Sequence, residues 1–278
     1  MGIKFFGHYL LDEGKITNEQ LTEVIDYQSK NNLSLGELAV RDGFINTGEA
    51  NIINDKQRSL DKRFGEIAVS LKLLTDMQVE KLLQIQKKEK VFFGEVLIMK
   101  NFMDKKALDV ELARFKEHEQ IEIVELDDKI KAIDKDNIIK NSIGILQTLY
   151  FRIVHNPIKL VRMNSTGSMN HKGIIAFQKM RGDIHLDFAL QPEDAVSLAI
   201  STEFLKTKFD AIDDMVIDIV CEFVNIVLGN IAVKFSAGSA EIDLTPPIII
   251  EQSKFNYGDY YSFEFATTNG NLILYIKI

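Results

Sequence analysis

Apolar and polar positions recur along the first 115 residues with a fixed period. Gly7, Gly36, Gly65 and Gly94 lie 29 residues apart, each preceded by Phe or Leu (Phe6, Leu35, Phe64, Phe93). Each is followed by two adjacent apolar residues: Leu10-Leu11, Ala39-Val40, Ala68-Val69 and Leu97-Ile98. Ten residues after each glycine stands Thr17, Asn46, Thr75 or Asp104, all good helix N-caps. In the first three units Gln20, Glu49 or Gln78 follows the cap by three residues, completing a capping-box pattern. Leu21, Ala50, Val79 and Leu108 share one register; Gln28, Gln57 and Gln86 share another, with Phe115 in the fourth unit. Each unit is therefore predicted to be a short helix, a turn and a longer capped helix. Gly14 and Gly43 can take a positive φ in that turn, whereas units three and four carry Lys72 and Asn101, so their turn is expected to be built or strained differently. One unit cannot bury its apolar face alone, so neighbouring units are expected to stack.

Residues 116–136 are dense in charge and poor in Gly and Pro, which fits either a connecting strand or a polar link. The pattern then changes. Helices are predicted over 137–152, from about Pro192 to 206, and over about 213–232. Strands are predicted over 159–163, 173–178, 183–189, 240–244, 247–252, 260–267 and 271–278, with a loop between Gly167 and Gly173. Strands grouped around helices without steady βαβ alternation imply an antiparallel sheet with long helices packed on it. The expected fold class is α+β: an all-α repeat domain over 1–118, a charged connector over 119–136, and an α/β domain over 137–278.

Composition narrows the function classes. At 46% hydrophobic and 27% charged, the 278 residues exclude a disordered tail, a fibre and a disulfide-stapled miniprotein. The single cysteine, Cys221, allows no internal disulfide, so a cytoplasmic location is expected. No apolar run approaches the roughly 18 residues of a membrane span, and the start lacks a signal-peptide core. The net charge of −8 is spread evenly, with +18 and −20 over 1–120 and +15 and −21 over 121–278. That balance argues against nonspecific nucleic-acid or anionic-membrane binding and favours protein or small-ligand partners. Five scattered histidines lack metal-ligand spacing, so no metal site is expected.

Candidate chemistry concentrates on one helix. Between Asp214 and Asn230 its only polar side chains are Asp218, Glu222 and Asn225, and spacings of four and three place them on one face, continued by Gly229. The rest is apolar nearly all round, which predicts a helix buried except along this line. Such a stripe is either a plain solvated face or a rigid display of a carboxylate and an amide, with Gly229 letting another backbone come close.

Asp218-x-x-x-Glu222-x-x-Asn225, followed twenty residues on by Pro246-Pro247, resembles the signature of the CheX/CheC/FliY family of response-regulator phosphatases. Asn225-Ile-Val-Leu-Gly229-Asn230, Leu-Thr-Pro-Pro-Ile and Met-Arg-Gly182-Asp-Ile-His-Leu also look like that family, and the resemblance covers about 137–278. It implies dephosphorylation of the aspartyl phosphate of a CheY-like receiver domain. Asn225 would orient the attacking water, Glu222 would pair with a receiver lysine, and Asp218 would head the motif. It implies no cofactor on this chain, since the Mg²⁺ belongs to the receiver. The first helix of the domain offers Ser142 and Gln147 but no second Glu-x-x-Asn, which fits the single-site CheX arrangement. A homodimer formed through the sheets is also implied. The alternative is a non-catalytic adaptor that binds a receiver or secretion or pilus machinery.

The 29-residue unit resembles the MshE-type N-terminal domain of type II secretion and type IV pilus ATPases, over about residues 5–115. The resemblance implies a regulatory or localisation module with cyclic di-GMP as a ligand. The pattern's arginine position holds Phe5, Ser34, Arg63 and Phe92, so a nucleotide site is expected, if anywhere, where units two and three meet: Leu35, Gly36, Gln57, Arg63, Phe64, Gly65 and Gln86. The same positions read equally as packing positions of a helical interaction module.

Overall fold

The computed structural model describes all residues except 1–4, 60–61, 135, 166–171 and 237–239, so most of the loop expected between Gly167 and Gly173 lies outside the described residues. Contacts divide the chain into two compact units, Lys4–Gln120 and Ile121–Ile278.

In the first unit each repeat is a helix pair: α1 (Phe6–Asp12) and α2 (Asn18–Asn31), α3 (Leu35–Arg41) and α4 (Thr47–Ser59), α5 (Phe64–Ser70) and α6 (Asp76–Glu89), α7 (Phe93–Met99) and α8 (Lys105–Ile133). The longer helices start as the sequence predicts, with reciprocal capping by Thr17 and Gln20, Asn46 and Glu49, and Thr75 and Gln78. The short helices add a device of their own: Glu37, Glu66 and Glu95 each accept a hydrogen bond from the N–H of the residue three before (Ser34, Arg63, Phe92). The turns of all four units share one left-handed residue: Gly14 (φ 63°), Gly43 (φ 74°), Lys72 (φ 58°) and Asn101 (φ 57°). The turns of units three and four are thus not built differently. Lys72 and Asn101 adopt the same conformation at a steric cost that glycine avoids.

Stacking does not follow chain order. Units two and three share one core, around Leu38, Ala39, Ile53, Ile67, Ala68 and Leu82. Units one and four share the other, around Leu10, Leu21, Val24, Val96, Leu97 and Leu108. The repeat glycines permit this close packing. A Cβ on Gly7 would lie 2.6 Å from Leu21 and 2.7 Å from Phe93, and one on Gly36 would lie 2.9 Å from Phe64. The register glutamines tie the pairs together: Gln28 donates to the Val91 carbonyl, Gln57 to that of Lys62 and Gln86 to that of Leu33. Each accepting residue lies three before a repeat glycine, so the same bond recurs in three units. In the fourth, Phe115 instead packs its ring against Phe6 and Tyr9.

The segment expected to be a connecting strand or polar link is helical, because α8 runs unbroken from Lys105 to Ile133. Its charges form turn-to-turn pairs such as Lys131 with Asp127, and no Gly or Pro interrupts it.

The second unit is α+β. After α9 (Ile138–Val154) come β1 (Lys159–Asn164), β2 (Ile175–Gly182), β3 (Leu186–Pro192), α10 (Asp194–Leu205), α11 (Asp214–Ser236), β4 (Ile242–Leu244), β5 (Ile248–Ile250), β6 (Tyr261–Thr267) and β7 (Gly270–Lys277). Pro192 ends β3 and stands two residues before the next helix, near whose start the sequence placed it. All strand pairs are antiparallel, in the order β1-β6-β7-β3-β2-β4, with β5 also pairing β2. One sheet face and the three helices enclose the main core, where Leu146, Phe188, Phe223, Val227, Phe263 and Leu274 are buried. The other face is covered by the Phe255–Tyr260 segment, whose rings pack on Tyr275.

By length and composition, α11 is the one helix among the described residues that could cross a membrane, contrary to the expectation that no apolar run approached that length. Its apolar side packs against the sheet and against α9 and α10: Val216, Ile219, Val220, Phe223, Val224, Val227, Leu228, Ile231 and Ala232 are buried.

Candidate functional site

The site is built where α11 crosses β2. Asp213 starts the helix by accepting the Val216 N–H at 2.9 Å. With the apolar residues turned onto the sheet, the remaining line along the helix carries Asp218 and Glu222, both exposed, and Asn225 and Gly229, both half-buried. Two exposed apolar side chains, Met215 and Val233, stand toward the two ends of the helix. A Cβ on Gly229 would meet nothing within 4 Å among the described residues, so no close contact with them demands a glycine there.

Asn225 is half-buried because it leans toward the sheet. Its Oδ1 accepts a 2.9 Å hydrogen bond from Gln178 Nε2, and its Nδ2 lies 3.4 Å from Glu222 Oε2. Gln178 sits on β2 between Ala176 and Met180, on the face turned to the helices, and is 1% exposed. Its Nε2 also donates to the Thr245 carbonyl at 2.7 Å.

Thr245 occupies the break in the edge of the sheet. β4 and β5 both pair with β2, one at each end, and Thr245-Pro246-Pro247 lies between them. Thr245 keeps the register by exchanging bonds with Lys179, N–H to carbonyl at 3.0 Å and Lys179 N–H to Thr245 Oγ1 at 3.0 Å. The prolines cannot donate, so the ladder stops opposite Gln178 and the Thr245 carbonyl is left for its side chain. Tertiary structure thereby joins the two halves of the motif through Gln178, a residue sequence reasoning missed. A single glutamine among strand residues looks like an outward polar position. Its two-residue alternation with Ala176 and Met180 was the available signal.

Cys221 packs half-buried beside the stripe, and burial, with a smaller contribution from Asp218, pushes its thiol pKa up. That favours the unreactive thiol form. On α9, Ser142 and Gln147 are engaged with the carbonyls of Ile138 and Ile158. No group of three or more His, Cys, Asp or Glu side chains is arranged to hold a metal ion among the described residues.

Of the residues singled out for a nucleotide, the structure brings Leu35, Gly36, Phe64 and Gly65 together at the seam of units two and three. Phe64 lies over Gly36, and a Cβ on Gly65 would lie 2.6 Å from Val79. Gln57 and Gln86 spend an amide proton each on the backbone of the partner unit. Arg63 is exposed, and its N–H is held by Glu66.

An uncharacterized protein of Picosynechococcus sp. is 30% identical over 118 residues, which is 40% of this chain and 64% of that protein, less than two thirds of its length. A CheC-like superfamily protein from Shewanella sp. PV-4 aligns at 21% identity with a TM-score of 0.45, covering 51% of this chain and 96% of the other. The CheX–CheY–BeF₃–Mg²⁺ complex from Borrelia burgdorferi gives 18% identity and a TM-score of 0.41, covering 51% and 98%. Residues 174–265 match the family model described as Chemotaxis phosphatase CheX. That span takes in Gln178, the whole Asp218–Asn225 stripe and Pro246-Pro247, and the C-terminal half of the chain carries a CheX-like domain.

Proposed function

We propose that this chain dephosphorylates the aspartyl phosphate of a CheY-like receiver domain. One observation carries the reading: an amide and a carboxylate, Asn225 and Glu222, sit side by side on the exposed line of an otherwise buried helix, inside the stretch that matches the CheX family. An acyl phosphate is already activated, so its hydrolysis needs a water held in line with phosphorus more than it needs a strong base. Water forms the new P–O bond, the bond to the aspartyl oxygen breaks, and carboxylate and inorganic phosphate leave. In this reading Asn225 holds the water, Glu222 pairs with a receiver lysine and fixes the docking pose, Asp218 adds charge at the head of the surface, and the receiver supplies Mg²⁺.

Loss of phosphate from a panel of phosphorylated receivers tests it. Faster decay with the wild-type chain, abolished by Asn225→Ala, supports the reading. Tight receiver binding without faster decay favours the adaptor alternative instead.

The helical unit is read as a regulatory or localisation module. Core packing at Gly36, Phe64 and Gly65, and the engagement of Gln57 and Gln86, support an interaction module over a nucleotide pocket. Calorimetry with cyclic di-GMP on the wild type and on Arg63→Ala decides: heat that Arg63→Ala removes would restore the nucleotide reading. Pairing of two copies through their sheets belongs to the same proposal. The β5 edge, with Ile248 52% and Ile249 40% exposed, is the surface it would use.

A further inference from the structure

We propose that Gln178 is a positioning residue that decides which end of the Asn225 amide faces outward. The inference deepens the phosphatase reading and rests on it for its catalytic consequence, though not for its geometry. An amide side chain can be turned over with little change of shape, and on the helix itself only the long 3.4 Å contact to Glu222 bears on which way it faces. Here the choice is made by a backbone atom. The Thr245 carbonyl can only accept, and its place is fixed because the Thr245 N–H is bonded to the Lys179 carbonyl. The Gln178 atom 2.7 Å from that carbonyl must therefore be the donor Nε2. An amide nitrogen has two protons, and the second points to Asn225 at 2.9 Å. The Asn225 atom receiving it must be Oδ1. Nδ2 is consequently turned away from the sheet, toward Glu222 and the open side of α11.

The arrangement leaves one buried acceptor idle, since Gln178 Oε1 has no hydrogen-bond partner among the described residues. A residue present only for packing would do better as Leu or Met, because an unmet buried acceptor is costly. The cost is explained if the donated proton is what matters. The polarity runs from a fixed carbonyl, through Gln178, to the orientation of the amide placed against the water.

Two substitutions in the full-length chain test this. Gln178→Leu removes the donor at similar volume, and Gln178→Glu turns it into an acceptor that Asn225 can satisfy only by turning over. With a responsive receiver, Gln178→Leu is expected to lower the saturated decay rate tenfold or more while the half-saturating receiver concentration moves less than twofold. In an Asn225→Ala background the same change is expected to have no further effect. Equal loss in both backgrounds, or a change in half-saturation alone, overturns the proposal. The ¹⁵N-labelled side-chain amide of Asn225 gives a readout independent of turnover. In the wild type its protons should show proximity to Glu222, and in Gln178→Glu proximity to residue 178. Unchanged amide signals overturn the proposal even where both variants fold and act normally. If the wild type accelerates decay of no receiver, the phosphatase reading fails, while the amide measurement still decides whether Gln178 sets the orientation.

Discussion

Asn225 Nδ2 stands 3.4 Å from Glu222 Oε2, one turn along α11, so the amide and the carboxylate present one continuous polar edge to whatever docks there. Under the proposed function the two groups would have separable tasks, Asn225 holding water against phosphorus and Glu222 setting how the partner sits.

Separate tasks predict separate losses. Asn225→Ala should abolish most of the catalysed decay, about a hundredfold or more, with receiver binding within a few fold. Glu222→Ala should weaken binding by about tenfold and leave much of the saturated rate. Titrating receiver in the decay assay distinguishes them. Identical behaviour of the two variants would contradict the assignment.

Gly229 offers a cleaner probe because nothing within 4 Å among the described residues would meet its Cβ. Gly229→Ala should stabilise the helix by about 1 kcal/mol, seen as a higher denaturation midpoint. Gly229→Arg should retain stability and reduce receiver binding at least tenfold by blocking close approach. Undiminished binding by Gly229→Arg would move the docking face elsewhere.

In the helical unit the glycines and the left-handed turns predict opposite signs. Gly65→Ala places a methyl 2.6 Å from the β-branched Val79 and should destabilise the unit by about 1–3 kcal/mol. Lys72→Gly relieves a left-handed lysine at φ 58° and should stabilise it by up to about 1 kcal/mol, the steric gain exceeding the added chain entropy. Chemical denaturation of the two variants checks both signs.

The core of units one and four contains a charged group that gives it a pH limit. Glu111 is 5% exposed and is held by Lys15 at 3.0 Å and by the Tyr9 hydroxyl at 3.1 Å. These partners, the Lys15 hydrogen bond foremost, keep its carboxyl below the usual carboxylate range despite burial. A carboxyl more acidic in the folded state than in the unfolded chain contributes stability above its ordinary pKa and loses it as pH falls through the folded value. Amide-exchange protection in α1 and the first turns of α8, taken relative to the intrinsic exchange rate at each pH, should therefore fall as the pH is lowered below about 5. Glu111→Gln should flatten that dependence. An unchanged acid limb would remove Glu111 from the explanation.

Much of this architecture was legible because it is local. Caps, glycine spacing and apolar pairs depend on neighbours within a few residues, so the four helix pairs could be placed from the chain alone. The stripe on α11 was legible for the same reason, since helical periodicity alone puts residues 218, 222 and 225 on one face. The helical character of 119–133 was not, because charge density without Gly or Pro suits a solvated helix as well as a link. The equivalence of the Lys72 and Asn101 turns to those of Gly14 and Gly43 also escaped the sequence. There the packing of the units outweighs the residue's own preference.

Backbone periodicity and capping act over one or two turns, so the four helix pairs and the residues of the candidate edge follow from the chain alone, while the helical run over 119–133 does not. Tertiary packing sets unit one against unit four and unit two against unit three. Four similar apolar faces do not say which two meet; in the fold Phe93 lies over Gly7 and Phe64 over Gly36. Only the tertiary structure likewise joined Asn225 to Pro246-Pro247. The link is Gln178, 47 residues from Asn225, and its donor direction is set by a carbonyl freed where two prolines interrupt the edge of the sheet.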